Sequence, residues 1–168
     1  MKRLILIRHA KSSWSNSNLD DKERPLNERG QQAAGLIGKW LAAESLMPDQ
    51  VLSSSALRCQ ETWAGIAEAL DAVDKVDFVD FLYLATPQDM LNTLQTASGD
   101  TVLMLGHMPG IGDFARQLRR DPPPAHASFQ KYPTGATTVL DFRIDDWAEA
   151  QMGTGRFVKS ITPRDLES

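Results

Sequence analysis

Runs of apolar residues alternate with amphipathic segments along this chain. The run Leu4 to Ile7 is continuous, which is typical of a strand that is buried on both faces. After Asn27, apolar side chains recur at helical spacing, which predicts a helix that Asn27 caps and that ends near Glu44. Thr86 followed by Pro87 predicts a second helix start, because threonine is a good N-cap and proline fits the first turn.

The same periodicities assign the rest of the chain to strands and helices. The predicted strands are Lys2–Arg8, Gln50–Ser53, Val76–Val79, Thr101–Leu105, Ala136–Ile144 and Phe157–Ile161. Helices are also predicted at Ala56–Leu70 and Gly110–Leu118. This alternation predicts an α/β fold with a mostly parallel central sheet flanked by helices, in one domain over residues 1–168. Residues 121–135 lack periodicity, and we expect an irregular loop there that exposes His126.

Composition and charge restrict the class of protein. With 42% apolar and 24% charged residues, the chain matches folded, globular proteins rather than disordered ones. The single cysteine, Cys59, excludes an internal disulfide and fits a reducing compartment. No apolar run reaches the ~20 residues that cross a bilayer, so we expect a cytoplasmic protein with no membrane partner. The net charge of −4 gives no general attraction to nucleic acid, so binding of an anion requires a local site.

Basic side chains and histidines collect where the predicted strands end. Arg8 and His9 end the first strand, and His107 directly follows another. Three serines, residues 53–55, precede the helix whose first turn holds Arg58. Because open α/β sheets bind ligands at the carboxyl ends of their strands, we expect these side chains to converge.

Together these groups are suited to phosphoryl transfer. Two guanidinium groups match phosphate oxygens, and the serine hydroxyls and helix-start amides near Arg58 would add donors. A neutral imidazole can attack phosphorus and hold the phosphoryl group covalently, while a cationic second histidine would stabilise the equatorial oxygens. This reaction depends mainly on positioning and charge compensation. The strand ends therefore predict a phosphate-handling site.

Three segments around these residues resemble the signature segments of the histidine phosphatase superfamily, which includes the phosphoglycerate mutases. They are LIRHA, SSALRCQET and LGHMPG, and they occur in the family's order. Three further segments, RPLNERG, FLYLATPQDML and SITPRDL, are similar to the small SixA-type branch of phosphohistidine phosphatases. The resemblance spans nearly the whole chain and implies a phosphoglycerate mutase-like fold.

The resemblance also implies a role for each residue of the predicted site. His9 would be the nucleophile that becomes phosphohistidine, and Arg8 beside it would bind the phosphoryl oxygens. Arg58 would be the second phosphate-binding arginine, and His107 the second histidine of the pocket. The family usually has glycine after the arginine–histidine pair, whereas this chain has Ala10. Alanine would disfavour a positive φ angle at that turn.

The resemblance leaves the proton donor open. Many superfamily members use a glutamate from a loop after the third strand, and Asp80 is the residue expected at that place. Asp20 and Asp21, in the loop after the nucleophile, are the alternatives. If the leaving group is the nitrogen of a phosphohistidine, acid assistance matters less, because imidazole leaves more readily than an alkoxide.

No metal ion or other cofactor is expected. His9 and His107 lack a partner at helical ligand spacing, and the sequence has no HExxH motif. The lone Cys59 has no second cysteine with which to share a metal. Metal-independent catalysis is therefore the prediction.

The expected substrate follows from the short segments around the site. Larger superfamily members carry insertions that cover the pocket, whereas the stretch from Leu70 to Thr86 is short here. An open site favours hydrolysis of phosphohistidine on a signalling or phosphotransfer protein. A phosphatase or mutase for small phosphate esters is the first alternative, and a non-catalytic module that binds phosphorylated proteins is the second. Lys11, Ser12 and Trp14 are candidates for the rim of the site.

Overall fold

The computed structural model describes residues 1–121 and 131–167, so His126 and most of the predicted loop lie outside the described residues. The strands are β1 (Lys2–Arg8), β2 (Gln50–Ser54), β3 (Lys75–Val79), β4 (Thr101–Gly106), β5 (Thr137–Phe142) and β6 (Arg156–Ile161). The helices are α1 (Glu28–Ala43), α2 (Leu57–Ala67), α3 (Pro87–Leu94), α4 (Gly110–Leu118) and α5 (Pro163–Leu166). Short 3₁₀ helices lie at Asp21–Glu23, Asp80–Leu82 and Trp147–Glu149. Within the described ranges, no helix is long and apolar enough to span a membrane.

The strands form one sheet in the order β3-β2-β4-β1-β5-β6. The strands β3, β2, β4 and β1 pair in parallel, whereas β5 is antiparallel to both β1 and β6. The predicted single-domain α/β fold with a mostly parallel sheet is therefore confirmed. The reversed direction of β5 was not predicted, because a strand has the same side-chain alternation in either direction.

The two faces of β1 explain why its apolar run is continuous. Leu4 and Leu6 are fully buried on one face, in a cluster that includes residues of α3 and α4. Ile5 and Ile7 are fully buried on the other face, with residues of α1 and α2. The four residues Leu4 to Ile7 are covered on both faces and have no solvent-facing position, so the polar side chains of β1 lie at its two ends, with Arg8 at the carboxyl end.

The elements begin within one residue of the predicted starts and differ more at their ends. The Asn27 side chain accepts a backbone hydrogen bond in the first turn of α1 at 2.8 Å, and Thr86 forms a capping box at the start of α3. Helix α2 ends at Ala67 rather than at Leu70, because the Leu70 amide bonds to the Ala67 carbonyl in a tight turn. Strand β5 is shorter than predicted, because its pairing with β1 stops opposite Lys2.

The start of α1 packs against the loop that follows β1. A side-chain carbon at Gly30 would lie 2.1 Å from the Lys11 carbonyl oxygen, so glycine is needed for this close approach. The backbone N–H of Asn27 also donates to that carbonyl oxygen, at 3.0 Å. Helix α1 thereby positions the backbone just beyond the carboxyl end of β1.

Candidate active site

The register of the central strands brings the two predicted histidines together. Strands β1 and β4 are parallel neighbours, and Arg8 lies opposite Gly106. The His9 amide donates to the Gly106 carbonyl at 3.1 Å, so His9 and His107 leave the sheet side by side. Their ring centroids are 5.2 Å apart. On the other side of β4, strand β2 leads into α2 and brings Arg58 to the same edge.

A cavity of about 390 Å³ opens at this edge of the sheet. It is lined by Arg8, His9, Lys11, Ser12, Trp14, Arg24, Arg58, Leu84, His107, Met108 and Thr134. The four residues predicted to handle phosphate therefore share one cavity with the three rim candidates. Leu84, Met108 and Thr134 were not predicted to line it. Met108 follows His107 directly, and Leu84 lies in the FLYLATPQDML segment. These positions were the only features of the sequence that could have placed the two residues near the site.

The hydrogen bond of His9 defines which ring nitrogen can act as a nucleophile. Its Nδ1 lies 2.7 Å from the Ala10 carbonyl oxygen, which can only accept, so Nδ1 carries the proton. The Nε2 nitrogen is then unprotonated and has a lone pair for attack. Burial of the ring and the positive charges of Arg58 and Arg8 lower the pKa of His9 to about 4. His9 is therefore neutral at pH 7, as a nucleophilic imidazole must be.

Ala10 fits the turn after His9. Its φ angle is not positive, so the conformation that would have favoured glycine does not occur there. Ala10 is fully buried, and its amide donates to Thr62 Oγ1 of α2 at 3.0 Å. The alanine that departs from the family pattern is thus compatible with the local backbone.

His107 is held in the opposite tautomer. Arg58 Nη2 lies 3.3 Å from His107 Nδ1, and because a guanidinium only donates, Nδ1 is the acceptor. The Nε2 proton is then donated to Ser54 Oγ at 2.8 Å. Burial and the neighbouring His9 and Arg58 lower the pKa of His107 to about 3. His107 is therefore neutral at pH 7 when only protein groups surround it, and the cationic form expected from the sequence requires the negative charge of a phosphoryl group.

Each of the two arginines is anchored by protein groups and has a buried Nε that no described residue accepts from. Arg8 Nη1 donates to the Tyr132 carbonyl at 3.0 Å. Arg58 donates to the Asp21 carbonyl at 2.6 Å and to the Asp21 carboxylate at 2.9 Å. In residues 1–121 and 131–167, the buried Nε groups of both arginines have no hydrogen-bond partner. Buried unpaired donors are costly, so this pair of cationic groups is suited to binding an anion.

Asp21, one of the alternative proton donors, holds Arg58 in place. Its carboxylate also accepts from the Tyr83 hydroxyl and, at 3.1 Å, from Arg24 Nε. The Tyr83 hydrogen bond and the Arg58 pair hold the pKa of Asp21 well below its usual range. Asp21 is therefore ionised at neutral pH and acts on the site by positioning Arg58. Sequence reasoning missed Tyr83, whose ring centroid lies 5.4 Å from that of His107.

Asp80, the expected proton donor, is not among the described residues that line the cavity. Its side chain is 84% exposed and accepts hydrogen bonds from the Ser55 hydroxyl and, at 2.9 Å, from Lys22. These two bonds lower the pKa of Asp80, whereas a general acid near pH 7 needs a raised pKa. Asp20 is also exposed. A catalytic role for Asp80 stays a prediction.

The three serines bind other protein groups. Ser53 Oγ donates to the Ser54 carbonyl at 2.9 Å, and Ser54 Oγ accepts from His107 and from the amide at the start of α2. Ser55 donates to Asp80. None of the three is among the described residues that line the cavity, where the sequence predicted them as phosphate donors. Of the three, Ser54 supports His107 and the start of α2 instead.

Known proteins match this chain in sequence and in fold. A family model of the histidine phosphatase superfamily (branch 1) matches residues 4–80. An uncharacterised protein of Mycobacterium tuberculosis is 32% identical over a 164-residue alignment that covers 94% of this chain and 100% of that protein. The structure of SixA from Nakamurella multipartitia, assigned as a phosphohistidine phosphatase, has a TM-score of 0.82, with 26% identity and 96% of both chains covered. SixA from Agrobacterium tumefaciens, with the same assignment, has a TM-score of 0.78, with 25% identity, and covers 96% of this chain and 98% of that one.

These matches agree with the geometry of the cavity. The segment matched by the family model contains Arg8, His9 and Arg58. The structural matches extend the similarity over nearly the whole chain. The chain is therefore a phosphatase that belongs to the histidine phosphatase superfamily.

Proposed function

We propose that this phosphatase hydrolyses phosphohistidine on a protein, through a covalent phosphohistidine intermediate at His9. The observation that carries the proposal is the tautomer of His9. Its protonated Nδ1 leaves Nε2 as a neutral nucleophile in a cavity that also holds Arg8, Arg58 and His107. The charge compensation that phosphoryl transfer requires comes from these side chains, so no metal ion or other cofactor takes part.

The reaction proceeds in two displacements at phosphorus. In the first, His9 Nε2 attacks phosphorus, and the bond from phosphorus to the substrate nitrogen breaks. Arg8 and Arg58 bind the phosphoryl oxygens, whose negative charge raises the pKa of His107 and favours its cationic form. In the second, a water oxygen attacks phosphorus, the bond to Nε2 breaks, and inorganic phosphate leaves while the water proton passes to solvent.

The ionised carboxylates around the cavity support phosphohistidine as the substrate. Asp21 and Asp80 both have lowered pKa values, so neither is suited to protonate an alkoxide leaving group at neutral pH. A phosphohistidine ring that is protonated on its other nitrogen leaves as neutral imidazole and needs no such acid. A site in which these two carboxylates are ionised therefore favours phosphohistidine over phosphate esters.

The rim of the cavity supports a protein as the carrier of that phosphohistidine. Trp14 is 76% exposed and Leu84 is 56% exposed, and both line the cavity. Trp14 is held against the Arg24 guanidinium, whose central carbon lies 3.4 Å from the ring centroid. Exposed large apolar side chains beside a polar site are typical of surfaces that contact another protein.

The decisive experiment measures phosphate release in the presence of a chelator. The substrates are a histidine-phosphorylated phosphotransfer protein and small esters that include phosphoglycerates, each with the wild type and with His9→Ala. We expect rapid release from the phosphoprotein, unaffected by the chelator, and loss of at least ~10³-fold in His9→Ala because the nucleophile is gone.

The other outcomes identify the alternatives. Faster turnover of small esters would assign the chain to the small-molecule phosphatases or mutases. Bound phosphate without release from any substrate would identify a phosphoprotein-binding module. A role in signalling and a cytoplasmic location accompany the favoured function and stay predictions.

A further inference from the structure

A second and larger groove opens beside the catalytic cavity. Its volume is about 900 Å³, and it shares Lys11 and Thr134 with the cavity. The rest of its lining comes from α1, from the segment before β5, and from the C-terminal segment that contains α5. The groove therefore continues the surface of the active site.

Four exposed basic side chains line this groove: Lys11, Arg29, Lys131 and Arg164. Among the described residues, none of these four forms an ion pair. By contrast, Lys22 pairs with Asp80 and Arg24 pairs with Asp21. The chain as a whole has a net charge of −4, so the groove is a local region of opposite charge.

The two acidic residues that line the groove, Asp165 and Glu167, offset only part of the charge of the four cations. Asp165 accepts hydrogen bonds from the Thr162 amide and hydroxyl, at 2.8 and 3.1 Å, and so caps α5. Glu167 is exposed and forms no ion pair with any residue in the described ranges. The positive charge is therefore available to a partner.

The groove is built on packed elements. A side-chain carbon at Gly135 would lie 2.5 Å from Pro163 Cγ, which places α5 directly against the segment before β5. Leu166 of α5 packs against the apolar cluster that contains Ile37 of α1. Arg29 and Arg164 therefore stand on two helices that are fixed relative to each other and to the cavity.

We propose that this groove binds acidic side chains that flank the phosphorylated histidine of the protein substrate. The proposal rests on the proposed function and adds a determinant of substrate choice to it. A chain whose phosphohistidine enters the cavity can continue into the groove, because Lys11 and Thr134 belong to both. Complementary charge at this position raises the rate of productive encounter and disfavours basic partners.

The test compares two double variants with the same change in net charge. Arg29→Glu with Arg164→Glu reverses charge in the groove and leaves every residue of the catalytic cavity in place. Lys39→Glu with Arg143→Glu is the control, because both residues are exposed and neither lines the groove. The substrates are free phosphohistidine and two phosphohistidine peptides that differ only in having glutamate or glutamine around the phosphorylated residue.

We expect the groove variant to lower kcat/KM for the glutamate-flanked peptide at least ~10-fold, mainly through KM. Turnover of the glutamine-flanked peptide and of free phosphohistidine is expected to stay at the wild-type level, and the control variant to behave as wild type on all three. Equal losses in both double variants, or no loss in the groove variant, would overturn the groove proposal and leave the proposed function standing. If the wild type hydrolysed none of the three substrates, both the groove proposal and the proposed function would be overturned.

Discussion

At the scale of single residues, Ser54 supports the tautomer of His107 that the hydrogen bond from Arg58 sets. Its Oγ accepts the His107 Nε2 proton at 2.8 Å, which leaves Nδ1 as the acceptor for Arg58. Ser54→Ala removes the partner of a buried proton, so we expect kcat to fall ~10-fold or more with little change in KM. Ser53→Ala is the matched control, since Ser53 is equally buried and donates only to a backbone carbonyl. Nitrogen-15 NMR of the His107 ring shows whether its Nε2 proton has lost its partner in Ser54→Ala, and an unchanged kcat in this variant would contradict the role.

Some contacts in the site could be predicted from the sequence and others could not. Arg8, His9 and His107 stand at the ends of apolar runs, and parallel strands bring such ends together. The contacts of Asp21 and Tyr83 with Arg58 depend on the fold of short connecting segments that have no periodicity. The tautomers were also beyond prediction, because they follow from individual hydrogen bonds rather than from a pattern.

At the scale of elements, the contact between α1 and the loop after β1 controls the site. Gly30→Ala would place a carbon 2.1 Å from the Lys11 carbonyl oxygen, so helix or loop must move. We expect the free energy of unfolding to fall by about 2 kcal/mol and kcat/KM to fall with it, because the displaced loop follows His9 directly. Gly35→Ala in the same helix has no atom within 4 Å of the new carbon, so it is expected to be neutral or stabilising by up to ~1 kcal/mol. Chemical denaturation and steady-state assays check both variants, and equal stability of the two would refute the contact's importance.

The order of the elements was predictable because their periodicities are strong. The continuous run in β1 and the cap at Asn27 both correspond to observed elements. The direction of β5 was not predictable, since it depends on which neighbour the strand pairs with. Helix α5 was missed because four residues are too few to show a period. That short helix supplies one side of the basic groove, so the groove became visible only in the folded chain.

At the scale of the whole molecule, buried neutral histidines couple the stability of the fold to pH. The pKa of His9 is about 4 in the folded chain, against an ordinary value of 6.5. Between these two values the unfolded chain binds a proton that the folded chain does not, so the folded state loses stability as the pH falls. His107 acts in the same direction, because its pKa is lowered as well.

His9→Gln should therefore make the free energy of unfolding less dependent on pH. The wild-type contribution from His9 amounts to about 2 kcal/mol between pH 7 and pH 5, and the variant lacks it. Glutamine keeps an N–H donor for the Ala10 carbonyl, so the comparison removes the titrating group and retains a donor for its hydrogen bond. Urea denaturation of both proteins at several pH values across this range measures the difference, in which the carboxylates common to both cancel. Parallel pH profiles for the two proteins would show that His9 is not held neutral by its surroundings, and the assignment of Nε2 as a ready nucleophile would lose its electrostatic basis.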